Sequence, residues 1–130
     1  MAAGDVTVSV LNTSDSKPCA SFDGVDDDIL IAHNGNQLGA NLSKGFTISV
    51  WIKPRSFGES AGDIIDKSAG ISANNGFSYD LSPTNDRLRF TINNGTSAVS
   101  GVSSVVYNIW QHFLVTVSSA NLANHYKNGV

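Results

Sequence analysis

Cysteine is almost missing from this chain. Cys19 stands alone among 130 residues, so no disulfide can form within it. Set between Pro18 and Ala20, it reads as a small buried hydrophobe. Charge is scarce as well: eight Lys and Arg against eleven Asp and Glu leave a net charge of −3, and the basic residues form no run. A nucleic-acid partner needs clustered cations, so that class of function is excluded from the expectations. The longest apolar runs fall far short of the roughly 20 residues of a membrane-spanning helix, and no membrane span is expected. The opening "MAAGDVTVSV" has neither a charged n-region nor a continuous apolar h-region, so it does not read as a secretory signal. The chain is then expected inside a cell, on a particle assembled there, or outside after removal of a leader. Sequons at Asn12, Asn41 and Asn94 carry little weight without secretion.

Turn formers and alternating apolar residues are what the chain does have. Twelve Gly and thirteen Asn punctuate it, against only three Pro. Period-two alternation recurs and helical periodicity is nearly absent. "DVTVSVLN" sets Val6, Val8 and Val10 on one face, and "GFTISVWIKP" does the same with Phe46, Ile48, Val50 and Ile52. "DIIDK", "GFSYDL", "RLRFTI", "WQHFLVTV" and the segment Ala123 to Lys127 read as further strands, with weaker ones near Ile29 to Ile31 and Ala98 to Val106. About nine short strands divided by Gly, Asn and Asp predict an all-β sandwich or barrel. The length suits one domain over 1–130, in which residues 1–17 supply a strand and a connector. Asn128-Gly129 is a strong hairpin signal, yet only Val130 follows it. Either the chain turns there, or Ala123 to Val130 run on as an edge strand.

The segments "SFDGVDDDILIAH", "GFTISVWIKP", "IIDKSAG", "GFSYDLSPTNDRLRFTINNG" and "WQHFLVTV…NHYKNGV" follow one another in a known order. Together they resemble the concanavalin A-like lectin/glucanase superfamily, in its laminin G-like branch, over roughly Ala20 to Val130. The resemblance implies a two-sheet antiparallel jelly-roll β-sandwich. It also implies a non-catalytic module that binds glycans or proteins, in some members through calcium at the rim. Family members continue past the "YxNG" hairpin with further strands. Their absence here leads to the expectation of a fragment, or of a subunit completed by its neighbours.

Each candidate site residue has a plainer role beside its functional one. Asp23, Asp26, Asp27 and Asp28 form the densest ionisable cluster, and a hard cation such as calcium would relieve their repulsion. The alternative is a turn, since Asp23-Gly24 is hairpin chemistry and Asp side chains cap turns; similar stretches are structural in the family. Glycosidase chemistry wants two carboxylates facing one bond. Asp63 and Asp66, three apart on one strand, point to opposite sides by simple alternation, and the single Glu, Glu59, sits in a loop. No enzyme is therefore expected. His33, His112 and His125 lack zinc-ligand spacing. Among aromatic platforms for a sugar, Trp51 and Trp110 are expected in the core, because a sandwich strand can be apolar on both sides. Phe57 and Tyr107 are the exposed candidates, and Asn74 and Asn75 could bond sugar hydroxyls.

Two functions compete on this reading. One is a lectin-like binding or adhesion module that meets a glycan or protein surface through rim loops. The other is a structural assembly protein, such as a virion decoration or fibre component, working as a homo-oligomer or larger assembly and open to strand addition at its final hairpin.

Overall fold

A strand that alternates apolar and polar residues buries one face, so such strands must stack in two layers. The computed structural model describes residues 7–10, 18–31, 45–58, 62–68, 76–82, 86–92, 96–99, 104–120 and 122–130. The chain divides into two compact units, Met1–Ala32 and His33–Val130.

In the first unit, β1 (Thr7–Val10) pairs antiparallel with β2 (Pro18–Ser21), from Thr7 opposite Ser21 to Val10 opposite Pro18. The sequence pointed instead to a strand at Ile29 to Ile31, but those residues form no strand, and each is largely exposed. A short apolar run becomes a strand only where a neighbouring backbone meets its N–H and C=O groups. The segment "PCAS" finds that neighbour in β1 despite its leading proline, which is tolerated at a strand's first position. Cys19, in β2, is half-buried.

The second unit holds two antiparallel sheets. Its strands are β3 (Phe46–Ile52), β4 (Gly62–Ser68), β5 (Gly76–Ser82), β6 (Arg87–Ile92), β7 (Thr96–Val99), β8 (Gln111–Val117) and β9 (Ala123–Lys127). One sheet has the order β3-β8-β9 and the other β4-β5-β6-β7, with no helix among the described residues. This is the all-β sandwich that the alternation implied. The inward residues of β5 and β6 (Phe77, Tyr79, Leu81, Leu88, Phe90 and Ile92) meet Phe113, Val115 and Val117 of β8 in one buried cluster. Phe46 of β3 bridges the layers, with its ring 5.1 Å from Phe77 and 5.7 Å from Phe90. Each such buried side chain contributes about 1.5–3 kcal/mol, so this cluster dominates the stability of the unit.

Two turns fix the strand ends. Gly45 has φ +77°, and a Cβ there would lie 2.5 Å from the Val117 carbonyl oxygen, so only glycine lets β3 enter beside the end of β8. At the other end of the chain, Asn128 (φ 51°) and Gly129 (φ 88°) take the two left-handed conformations of a tight hairpin turn. The Lys127 N–H donates to the Val130 oxygen at 2.8 Å, and the Val130 N–H returns a bond to Lys127 at 3.1 Å. The chain therefore turns at Asn128-Gly129, and does not run on as an edge strand.

Candidate functional site

At one end of the sandwich, described residues from several segments are tied together by hydrogen bonds into a rim. The Asn108 N–H donates to the Pro54 oxygen at 2.8 Å, which joins the segment after β3 to the segment before β8. The Val105 N–H donates to the oxygen of Asp86, just ahead of β6, at 2.9 Å. Gln111, only 2% exposed, staples the pre-β8 segment: its Oε1 accepts from the Val106 N–H, and its Nε2 donates to the Val106 and Ile109 oxygens. Asn128 closes the last turn against β8, where its Oδ1 accepts from the His112 N–H at 2.9 Å. Sequence reasoning passed over Gln111, although a Gln among apolar neighbours at the start of a strand is the available sign.

Phe57 and Tyr107 both belong to this rim, in different roles. Phe57 is 37% exposed and free to offer a ring face. The Tyr107 ring packs against the core cluster, and its hydroxyl donates to Asp86 Oδ1 at 2.6 Å. That hydrogen bond, with some burial and the Asp86 charge, pushes the Tyr107 pKa up to about 12. Tyr107 thus fastens the loop. Asn74 and Asn75 lie outside the described residues, and so does His33. The strand ends that flank Asn74 and Asn75, Ser68 and Gly76, are at the far end of β4 from Gly62, where Phe57 sits.

In the first unit, Asp23, Asp26 and Asp27 bring one carboxylate oxygen each within 4.8 Å of one another, and Asp28 is not part of that group. The turn reading is also realised. Asp23 Oδ1 accepts from the N–H groups of Val25 at 2.8 Å and Asp26 at 3.4 Å, while Asp27 Oδ2 accepts from the Asp23 N–H at 2.9 Å. Carboxylate oxygens keep further lone pairs beyond those bonds, and three hard oxygen donors suit calcium, which takes six to eight ligands in all.

The outer face of the four-stranded sheet overturns one expectation from the sequence. Asp63 and Asp66 stand on the same side of β4, because the pairing with β5 slips by one residue between Asp63 and Ile65. Asp63 lies opposite Asp80 and Asp66 opposite Ser78, both of which point outward. A bulge adds one residue and so restores two positions three apart to one face. Burial, reinforced by the Asp80 and Asp66 charges, raises the Asp63 pKa above its usual value, and Arg89 offsets part of this. Asp80, 2% exposed, is held by Arg89: Nε donates to Oδ1 at 3.1 Å and Nη2 to Oδ2 at 3.1 Å.

The outer face of the three-stranded sheet overturns another. Trp51, expected in the core, is 64% exposed there, because β3 buries only Phe46, Ile48, Val50 and Ile52 against the other sheet. Trp110 is half-buried. The Trp51 ring lies 5.2 Å from that of His112, its partner across the β3–β8 ladder, and His112 Nε2 is hydrogen-bonded to Ser49 Oγ at 2.8 Å. His125 takes the opposite face, with its ring 5.8 Å from Tyr79. Among the described residues no histidine joins a metal-binding group.

Comparison with known proteins agrees with this architecture. The laminin G-type model of the concanavalin A-like lectin/glucanases superfamily matches residues 23–130. No curated protein and no solved structure matches the chain. With a matched span covering most of its length and two antiparallel sheets stacked on one core, the chain belongs to the concanavalin A-like lectin/glucanase superfamily.

Proposed function

We propose that this protein is a non-catalytic, lectin-like binding module that recognises a glycan or protein surface. The observation that carries the reading is the hydrogen-bonded rim of a sandwich that belongs to a lectin superfamily. Binding costs least where the contact surface is already ordered. The Asn108–Pro54, Val105–Asp86, Tyr107–Asp86 and Gln111–Val106 bonds order this one, and Phe57 stands exposed beside it. Asp80 is engaged by Arg89, which disfavours a free carboxylate pair on the four-stranded sheet and with it a hydrolytic role. Retention on immobilised glycans, compared between wild type and Phe57→Ala, tests the reading. Retention weakened by the substitution supports it, and no retention on any glycan or protein surface overturns it.

A second reading, a structural subunit of a particle or fibre, draws on the Lys127–Val130 pairing. Those two bonds begin a ladder on the free side of β9, and a strand laid along it would extend the sheet. Light scattering tests it: a monomer at every concentration would remove its support.

A further inference from the structure

We propose that the outer face of the three-stranded sheet is a platform for a neutral oligosaccharide. The inference rests on the lectin-like reading and moves its main contact from the rim loops to the sheet face. Trp51 and Tyr126 are the reason to look there: an indole 64% exposed and a phenol 41% exposed, both projecting from ordered strands. Isolated exposed apolar residues need no explanation, but two large aromatic side chains sharing one sheet face form a patch.

The register places them. Trp51 faces His112 across the ladder, while Ser49 faces Leu114, which in turn faces Tyr126. Trp51 and Tyr126 are thus two strands and one rung apart, about 10 Å across the sheet and about 7 Å along it. That span exceeds one pyranose ring, so a single sugar cannot cover both aromatics and an oligosaccharide can. Leu114 forms an apolar floor between them. Trp51 is also held in place, since its ring leans on His112 and His112 is hydrogen-bonded to Ser49. A ring already fixed loses little freedom on binding.

Charge selects the occupant. Every outward residue of β3, β8 and β9 is a hydroxyl, amide, imidazole, aromatic or aliphatic side chain, and none is Asp, Glu, Lys or Arg. The outer face of the other sheet is the contrast within the same molecule, with Asp63, Asp66, Asp80, Arg87 and Arg89. Strands that carry no outward cation, with Lys53 only past the end of β3, offer no cluster of positive charge to a nucleic acid or an acidic glycan. A neutral sugar matches it: its C–H faces stack on Trp51 and Tyr126, and its hydroxyls meet Ser49, His112 and Asn124.

The test is affinity electrophoresis in native gels containing neutral polysaccharides (β-glucan, xylan, mannan and galactan in turn), with a polyuronate gel as the charged control. Wild type, Trp51→Ala, Tyr126→Ala and Phe57→Ala are run together, and each is checked for folding by circular dichroism. Retardation in a neutral gel is expected to weaken at least about tenfold in Trp51→Ala and Tyr126→Ala, the loss typical of a central aromatic contact. No retardation is expected in the polyuronate gel, and Phe57→Ala reports on the rim contact separately. Loss in Phe57→Ala alone overturns the platform and leaves the rim-binding reading standing. Retardation in no neutral gel overturns the platform, and so does a wild-type oligomer that Trp51→Ala dissociates, which would make the face a contact between copies.

Discussion

Asp63 and Asp66 share one face of β4 although three residues separate them, because the pairing with β5 slips by one residue at Ile64. The result is a row of acidic groups along Asp63, Asp66 and Asp80, the last of which is gripped by Arg89. Burial and its acidic neighbours make Asp63 hold its proton more tightly in the folded state than in the unfolded chain. A raised carboxyl pKa means that stability falls as pH rises from the unfolded value of 3.8 through the folded one, and stays lower above it. Asp63→Asn removes that penalty. It is expected to raise the melting temperature at pH 7, with the gain disappearing below pH 3.8. Because the side chain is buried only in part and water screens its charge, the gain is small, about 0.5 kcal/mol or less. A variant less stable than wild type at pH 7 would contradict this account.

Arg89 and Asp80 give a larger effect of opposite sign. The Asp80 side chain is 3% exposed, and it is paired with a guanidinium that is itself 35% exposed. Arg89→Met strands a buried carboxylate, at a cost of about 2–3 kcal/mol, toward the low side for a broken buried pair because water still reaches that end. Adding Asp80→Asn to that variant removes the stranded charge and is expected to recover more than half of the loss. Chemical denaturation of the two variants, with equal m-values, measures both numbers.

The parts of this molecule that were legible in the sequence are those set by local alternation. Phe46 to Ile52, Phe77 to Leu81, Leu88 to Ile92 and Phe113 to Val117 each carry apolar residues at every second position, and each buries them. Asn128-Gly129 likewise contains the whole requirement of its turn. What escaped the sequence depends on a second strand. The bulge beside Asp63 exists only in its pairing with β5, and "PCAS" is a strand only because β1 lies beside it. The exposure of Trp51 depends on what covers the sheet, which no alternation pattern encodes. Gln111 and Tyr107 fall in the same class, since their partners, Val106 and Ile109 for the one and Asp86 for the other, are fixed by loop geometry.

The acidic turn of the first unit separates calcium binding from turn capping. Asp23 and Asp27 already accept three backbone N–H groups, so the turn closes without an ion, and chelator alone is expected to leave the melting temperature unchanged. Three carboxylates supply only part of a calcium shell, which places any affinity on the order of millimolar. Calcium titration of wild type against Asp26→Asn, read by calorimetry, decides the matter. A calcium-dependent signal lost in the variant would make the cluster a cation site, and equal signals would leave it a capped turn. Asp26 is the informative position, because none of its carboxylate oxygens is used in the three turn bonds.

Tyr107 ties rim order to pH. Its hydroxyl donates to Asp86, and the bond exists only while the phenol keeps its proton. The folded pKa is raised from 10.0 to about 12, so the contribution is fully present below pH 10 and is lost as pH rises toward 12. Tyr107→Phe keeps the ring against the core and deletes the bond. The variant is expected to be about 1 kcal/mol less stable than wild type at pH 7 to 9, with the difference narrowing to nothing by about pH 12. Denaturation midpoints across that range check it, and a constant gap up to pH 12 would place the Tyr107 contribution in its ring packing. Hydrogen exchange at the Val105 and Asn108 amides would show whether the rim loosens with the bond, since both hold the segment that Tyr107 fastens.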